Sequence, residues 1–94
     1  MRHRNVIGPQ VRKLRYRRRW SQITFATKLQ HCGWNVSRET VAKIESRHRM
    51  VLDVQVLYLA EVLEVQVSAL FPRTHVRRRP IERVLNRKNF HFPE

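Results

Sequence analysis

The 94-residue chain has one cysteine, Cys32, two glycines, Gly8 and Gly33, and only seven acidic residues. A single cysteine cannot close an intrachain disulfide, so a secreted scaffold held by bridges is excluded and a reducing compartment is expected. Two isolated glycines cannot build a glycine-rich phosphate loop. No apolar run approaches the roughly 18 residues of a membrane span, and Pro9, Gln10, Arg12 and Lys13 interrupt any leader-like stretch after Arg2 and Arg4. These absences predict a soluble, untargeted, cytoplasmic protein without a membrane partner. Structural zinc wants four regularly spaced ligands, which His31, Cys32 and His48 do not supply, so no metal or cofactor is expected. A cysteine–histidine nucleophile would need an orienting third group and a cleft that excludes water, which a domain this small does not promise. The chain is read as a non-enzyme.

What the chain does have is positive charge. Lysine and arginine number 20 against seven acids, a net charge of +13, far beyond what solubility requires. Such an excess points to a polyanionic partner, with nucleic acid first. The excess belongs to the ends: residues 1–20 carry Arg2, Arg4, Arg12, Lys13, Arg15, Arg17, Arg18 and Arg19 with no acid, while 21–72 are balanced. From Arg73 onward seven basic residues face only Glu82 and Glu94, punctuated by Pro80 and Pro93. The expected organisation is one domain over 1–72 and a basic tail over 73–94. Hydrophobic residues at 41% can form a core. A chain this short buries only roughly 60% of its unfolded surface, so the margin of stability is thin.

The pattern is helical. Ile7, Val11 and Leu14 recur at helical spacing with Pro9 in the first turn, giving a first helix that ends near Arg18. Ser21 has the chemistry of an N-cap, flanked by Trp20 and Phe25 at staple positions, and opens a second helix to about Gln30. Ser37 repeats the device with Val36 and Val41, opening a third helix over about 37–46. Asp53 is expected to cap a fourth, with Val56, Leu59, Ala60 and Leu63 on its apolar face. A short fifth helix, Val67 to Phe71, stops before Pro72. The expected fold is therefore all-α, five helices around one core.

On the third helix, Val41 and Ile44 point one way while Arg38, Glu39, Ala42 and Lys43 lie on the opposite side at 100° per residue. Arginine forks onto guanine O6 and N7, glutamate accepts from cytosine N4, and alanine touches a thymine methyl, so this face carries the tools of base reading. An ordinary solvated helix face is the alternative.

The segments WSQITFATKLQ, NVSRETVAKIES, LDVQVLYLAEVL and VSALFP, in this order and spacing, resemble the phage-repressor and Cro type of helix-turn-helix domain, the XRE family, over roughly residues 6–72. The shared features are Leu14–Arg15 closing helix one, Ser21–Gln22 opening helix two, Ala26 within it, Ser37 opening the recognition helix and Ile44–Glu45 closing it. The resemblance implies a compact repressor-like fold that binds double-stranded DNA, with the third helix in the major groove and the second across the backbone. It places base reading on Arg38, Glu39 and Lys43, and a phosphate anchor at Gln22. Ser37, Ser46, Arg47 and Arg49 join the phosphate set. Arg17, Arg18 and Arg19 either join it or favour the carbonyl end of helix one. Arg15 and Glu45 are implied to form a structural salt bridge between helices one and three. The function implied is a transcriptional regulator, read as a repressor, nucleoid-associated.

Two features lie outside this pattern. The stretch from Gln30 to Val36 is longer than the usual turn; an outward bulge with Gly33 at positive φ and Trp34 packed over the core edge accommodates it, with a contact of Trp34 to DNA or a partner as the other reading. The apolar positions Val54, Leu57 and Val62 beside the core face of helix four are read as a homodimer contact, monomeric binding being the alternative. The tail, with Ile81, Val84, Leu85, Phe90 and Phe92, either folds on a partner protein, as in an antitoxin-like subunit, or is a disordered basic extension. General RNA binding is disfavoured because no aromatic stacking platform is evident.

Overall fold

The computed structural model describes residues 3–73, and the expectations for the tail lie outside that range. Four α-helices, α1 (Gly8–Arg17), α2 (Gln22–Cys32), α3 (Arg38–Glu45) and α4 (Asp53–Leu63), are followed by a 3₁₀ turn at Val67–Leu70. Among the described residues there is no strand, and no helix long and apolar enough to cross a membrane. The fifth expected helix is thus a single tight turn. Glu64 takes a left-handed conformation (φ 56°) to end α4, and Phe71 is already extended before Pro72, so only four residues remain to coil.

Local chemistry explains the starts and stops. The Ser21 hydroxyl accepts from the Thr24 amide at 3.0 Å and the Ser37 hydroxyl from the Thr40 amide at 3.1 Å, so each serine caps its helix. Trp20 and Phe25 stack with centroids 6.2 Å apart. The cap of α4 differs from expectation. Leu52 is the flanking residue, its amide bonded to the Gln55 side chain at 2.9 Å, while Asp53 is the first helical residue and accepts from the neighbouring Val54 amide at 2.7 Å.

The long connection between α2 and α3 is absorbed in part by helix. Instead of bulging after Gln30, α2 runs on to Cys32 and stops where Gly33 adopts φ 116°. There the Gly33 and Trp34 amides close back onto the Gln30 and Leu29 carbonyls at 3.1 and 3.0 Å. Trp34 then stacks on Tyr58 of α4 at 6.2 Å, which ties the turn to the core edge.

Phe25, Leu29, Ile44, Leu59, Leu63 and Leu70 are fully buried, drawn from α2, α3, α4 and the 3₁₀ turn, with Val11 adding α1. Each such side chain contributes about 1.5–3 kcal/mol of transfer free energy. The core therefore fixes the angle at which α3 is presented. Val54 and Leu57 on the outer side of α4 stay 46% and 59% exposed, whereas Val62, expected beside them, is half-buried and packs against the core.

Candidate nucleic-acid interface

α3 is short, and three of its eight residues are buried: Val41, Ile44 and Glu45. Their opposite numbers Arg38, Glu39 and Lys43 are exposed and Ala42 is half-buried, so one side is fixed inward and the other faces solvent.

The anchor is an ion pair. Arg15 Nε donates to Glu45 Oε2 at 2.7 Å and Nη2 to Oε1 at 2.9 Å, with both side chains buried. The remaining arm of the guanidinium, Nη1, donates to the Trp20 carbonyl at 2.8 Å. The hydrogen bond to Glu45 holds Arg15 above its ordinary pKa despite desolvation. Glu45 Oε1 also accepts from Gln22 Nε2 at 3.1 Å, and Gln22 Oε1 accepts from Arg38 Nη1 at 3.3 Å. A chain of polar contacts thus runs from the interior of α1, through the end of α3 and the start of α2, out to Arg38. It brings together four residues singled out in the sequence.

Beyond α3 the chain turns through Arg47, a non-glycine residue at φ 68°. The amides of Arg47 and His48 return to Ile44 and Lys43 carbonyls at 3.0 and 2.9 Å, closing the helix. Ser46 Oγ donates to the Lys43 carbonyl and shares a 2.8 Å hydrogen bond with His48 Nδ1. Lys43 and Arg49 line one hollow of about 450 Å³ together with Arg4 and His48. The basic side chains gathered there stem from α3, from the loop after it and from the N-terminal segment.

Several expected phosphate residues have other attachments. Arg47 is half-buried and its Nε donates to the Asn5 carbonyl at 3.1 Å, so it pins the N-terminal segment. The Ser37 hydroxyl is engaged by Thr40 as a cap. Arg18 turns to α4, where Nη2 donates to the Leu63 carbonyl at 2.7 Å and Nη1 lies 3.6 Å from Glu64. It therefore serves the carbonyl end of α4 and not that of its own helix. Arg17 borders Gln10, Lys13 and the segment Ser68–Arg73, away from α3. Cys32 donates to Glu61 at 3.3 Å; burial, then that carboxylate, push its thiol up, away from the thiolate that nucleophilic chemistry needs.

Sequence reasoning missed Asn5 and Gly8. Asn5 Oδ1 accepts from the Gly8 amide at 2.9 Å, capping α1, while Nδ2 donates to the Ile44 and Arg49 carbonyls at 3.1 and 2.7 Å. Gly8 is buried at the crossing of α1 and α3, where the Ile44 carbonyl occupies the space of a side chain. An asparagine three residues before the first helical amide, ahead of Gly-Pro, was the available signal for the cap. The contacts to the far loop have no local signature.

No family model matches the chain, and no curated protein does. Among solved structures, it is similar to the crystal structure of the restriction-modification controller protein C.AhdI from Aeromonas hydrophila, with a TM-score of 0.61 and 31% sequence identity over 69% of this chain and 87% of that one.

Proposed function

The chain belongs to the phage-repressor and Cro type of helix-turn-helix family, and from that we propose that it is a sequence-specific regulator of transcription that occupies an operator in double-stranded DNA. The observation that carries this reading is the two-sided α3: Val41 and Ile44 buried, Arg38, Glu39 and Lys43 exposed, and the start of α2 joined to it through Gln22. Arg38, Glu39, Ala42 and Lys43 read base edges in the major groove. Gln22 and Arg49 meet phosphates, while Ser46, bonded to Lys43 and His48, and Arg47 hold the loop from behind. Its place is with the DNA of the cytoplasm. The likeness to a protein that controls a restriction-modification system makes the promoter of such a system the first operator to test.

The exposed Val54 and Leu57 on α4 support a two-fold homodimer, which would read half-sites about 34 Å apart. Base and phosphate contacts separate by experiment. Arg38→Ala is expected to cost about 1–3 kcal/mol on the cognate site and to relax the choice at one base pair. Arg49→Ala is expected to weaken all sequences alike and to reduce the salt slope by about one. Equal losses on cognate and random duplex for both variants, measured by titration over a salt series, would refute the division.

A further inference from the structure

α1 carries a cationic feature that the reading above does not use. Arg12 and Tyr16, one helical turn apart, lie on the side of α1 that borders a cavity of about 490 Å³ shared with Gln22, Ala42 and Ser46. Arg12 donates from Nε and Nη2 to the Tyr16 hydroxyl at 3.2 and 3.0 Å. The guanidinium carbons of Arg12 and Arg15 lie 5.3 and 4.6 Å from the centre of the Tyr16 ring. A long, flexible arginine is thereby held in one place, and less of its freedom is lost when it forms a further bond.

The charge of this cavity is positive once its members are paired. The Glu45 carboxylate is matched by Arg15 and accepts from Gln22, which leaves Arg12 as the uncompensated charge among the lining residues. A guanidinium has five N–H donors, and Tyr16 engages only two of its nitrogens. The phenol oxygen accepts from Arg12, so its own O–H points elsewhere. The same hydrogen bonds hold the Tyr16 phenol below its ordinary pKa and make it a stronger donor. Arg12 is exposed and Tyr16 is 55% exposed, so both reach solvent at the edge of α3. A fork of N–H groups beside a phenol O–H matches the oxygens of a phosphodiester.

We infer that Arg12 and Tyr16 form a clamp for a phosphate of the DNA backbone, on the α1 side of the reading helix. This rests on the DNA-binding reading and adds to it a contact from the first helix. The clamp would hold α3 from the α1 side, in addition to the hollow of Arg4, Lys43, His48 and Arg49.

The test is binding of the full chain to a selected site and to random duplex over a salt series. Arg12→Gln is expected to weaken both about tenfold and to lower the slope of log K against log salt by about 0.9. Tyr16→Phe removes only the hydroxyl and is expected to lose affinity about threefold to tenfold with the slope unchanged. Arg12→Lys keeps the charge without the fork, so the slope stays while affinity falls. Wild-type affinity and slope in Arg12→Gln, with Arg38→Ala still losing discrimination, overturns the clamp alone. A wild-type chain that binds neither duplex overturns the clamp and the DNA-binding reading together.

Discussion

Glu45→Ala is expected to melt at least about 12 °C below the wild-type chain, because it strands the buried Arg15 guanidinium at a cost of roughly 3–5 kcal/mol, and each kcal/mol moves a domain of this size by about 4–8 °C. The pair is bidentate at 2.7 and 2.9 Å with side chains only 6% and 3% exposed, so solvent screening does little to soften the loss. DNA binding should fall with it, since Glu45 also holds Gln22 and, through it, Arg38. Replacing both partners, Arg15→Met with Glu45→Leu, removes the stranded charge and is expected to recover much of the melting temperature. Binding should recover less, because Gln22 then lacks its acceptor. Thermal melts and DNA titrations on the three proteins check both statements; an unchanged melt in Glu45→Ala contradicts the structural role.

Gly8→Ala is the second substitution with a large expected effect, and its sign is opposite to that of an ordinary helical glycine. At an unobstructed helix position the exchange stabilises by roughly 0.5–1 kcal/mol. At Gly8 the new Cβ would collide with the Ile44 carbonyl oxygen and stand 2.8 Å from that of Glu45, both of them backbone atoms. Overpacking of this kind costs about 1–3 kcal/mol or more, so the clash wins. A fall of about 10 °C in melting temperature is expected at the conversion of about 4–8 °C per kcal/mol. The atoms that must yield belong to the end of α3, so discrimination between operator and random duplex should shrink as well. A raised melting temperature would show that α1 and α3 do not approach closely at this point.

Much of the helical layout was legible because its determinants are local. Ser21 and Ser37 cap through amides three residues on, Ile7, Val11 and Leu14 repeat at one helical spacing, and Gly33 is the residue best suited to positive φ in its turn. The two-sided character of α3 followed from the same periodicity. Contacts between residues far apart in the chain were not legible. Asn5 reaches carbonyls 39 and 44 residues away, and Arg18 reaches one 45 residues away. A run of three arginines gives no hint that one of them turns to α4. The pairing of Arg15 with Glu45, 30 residues apart, came from the family resemblance and not from spacing. Gly8 illustrates the limit most clearly, since a missing side chain shows its purpose only when the carbonyl that fills the space is seen.

The central claim is that the exposed side of α3 recognises base pairs, and selection of bound sites from a random duplex library tests it most directly. The wild-type chain is expected to enrich sites with defined base pairs in two half-sites about 34 Å apart. Arg38→Ala, selected from the same library, is expected to lose preference at one position of each half-site while the others hold. No enrichment by the wild type, or the same full preference retained by Arg38→Ala, would contradict the account.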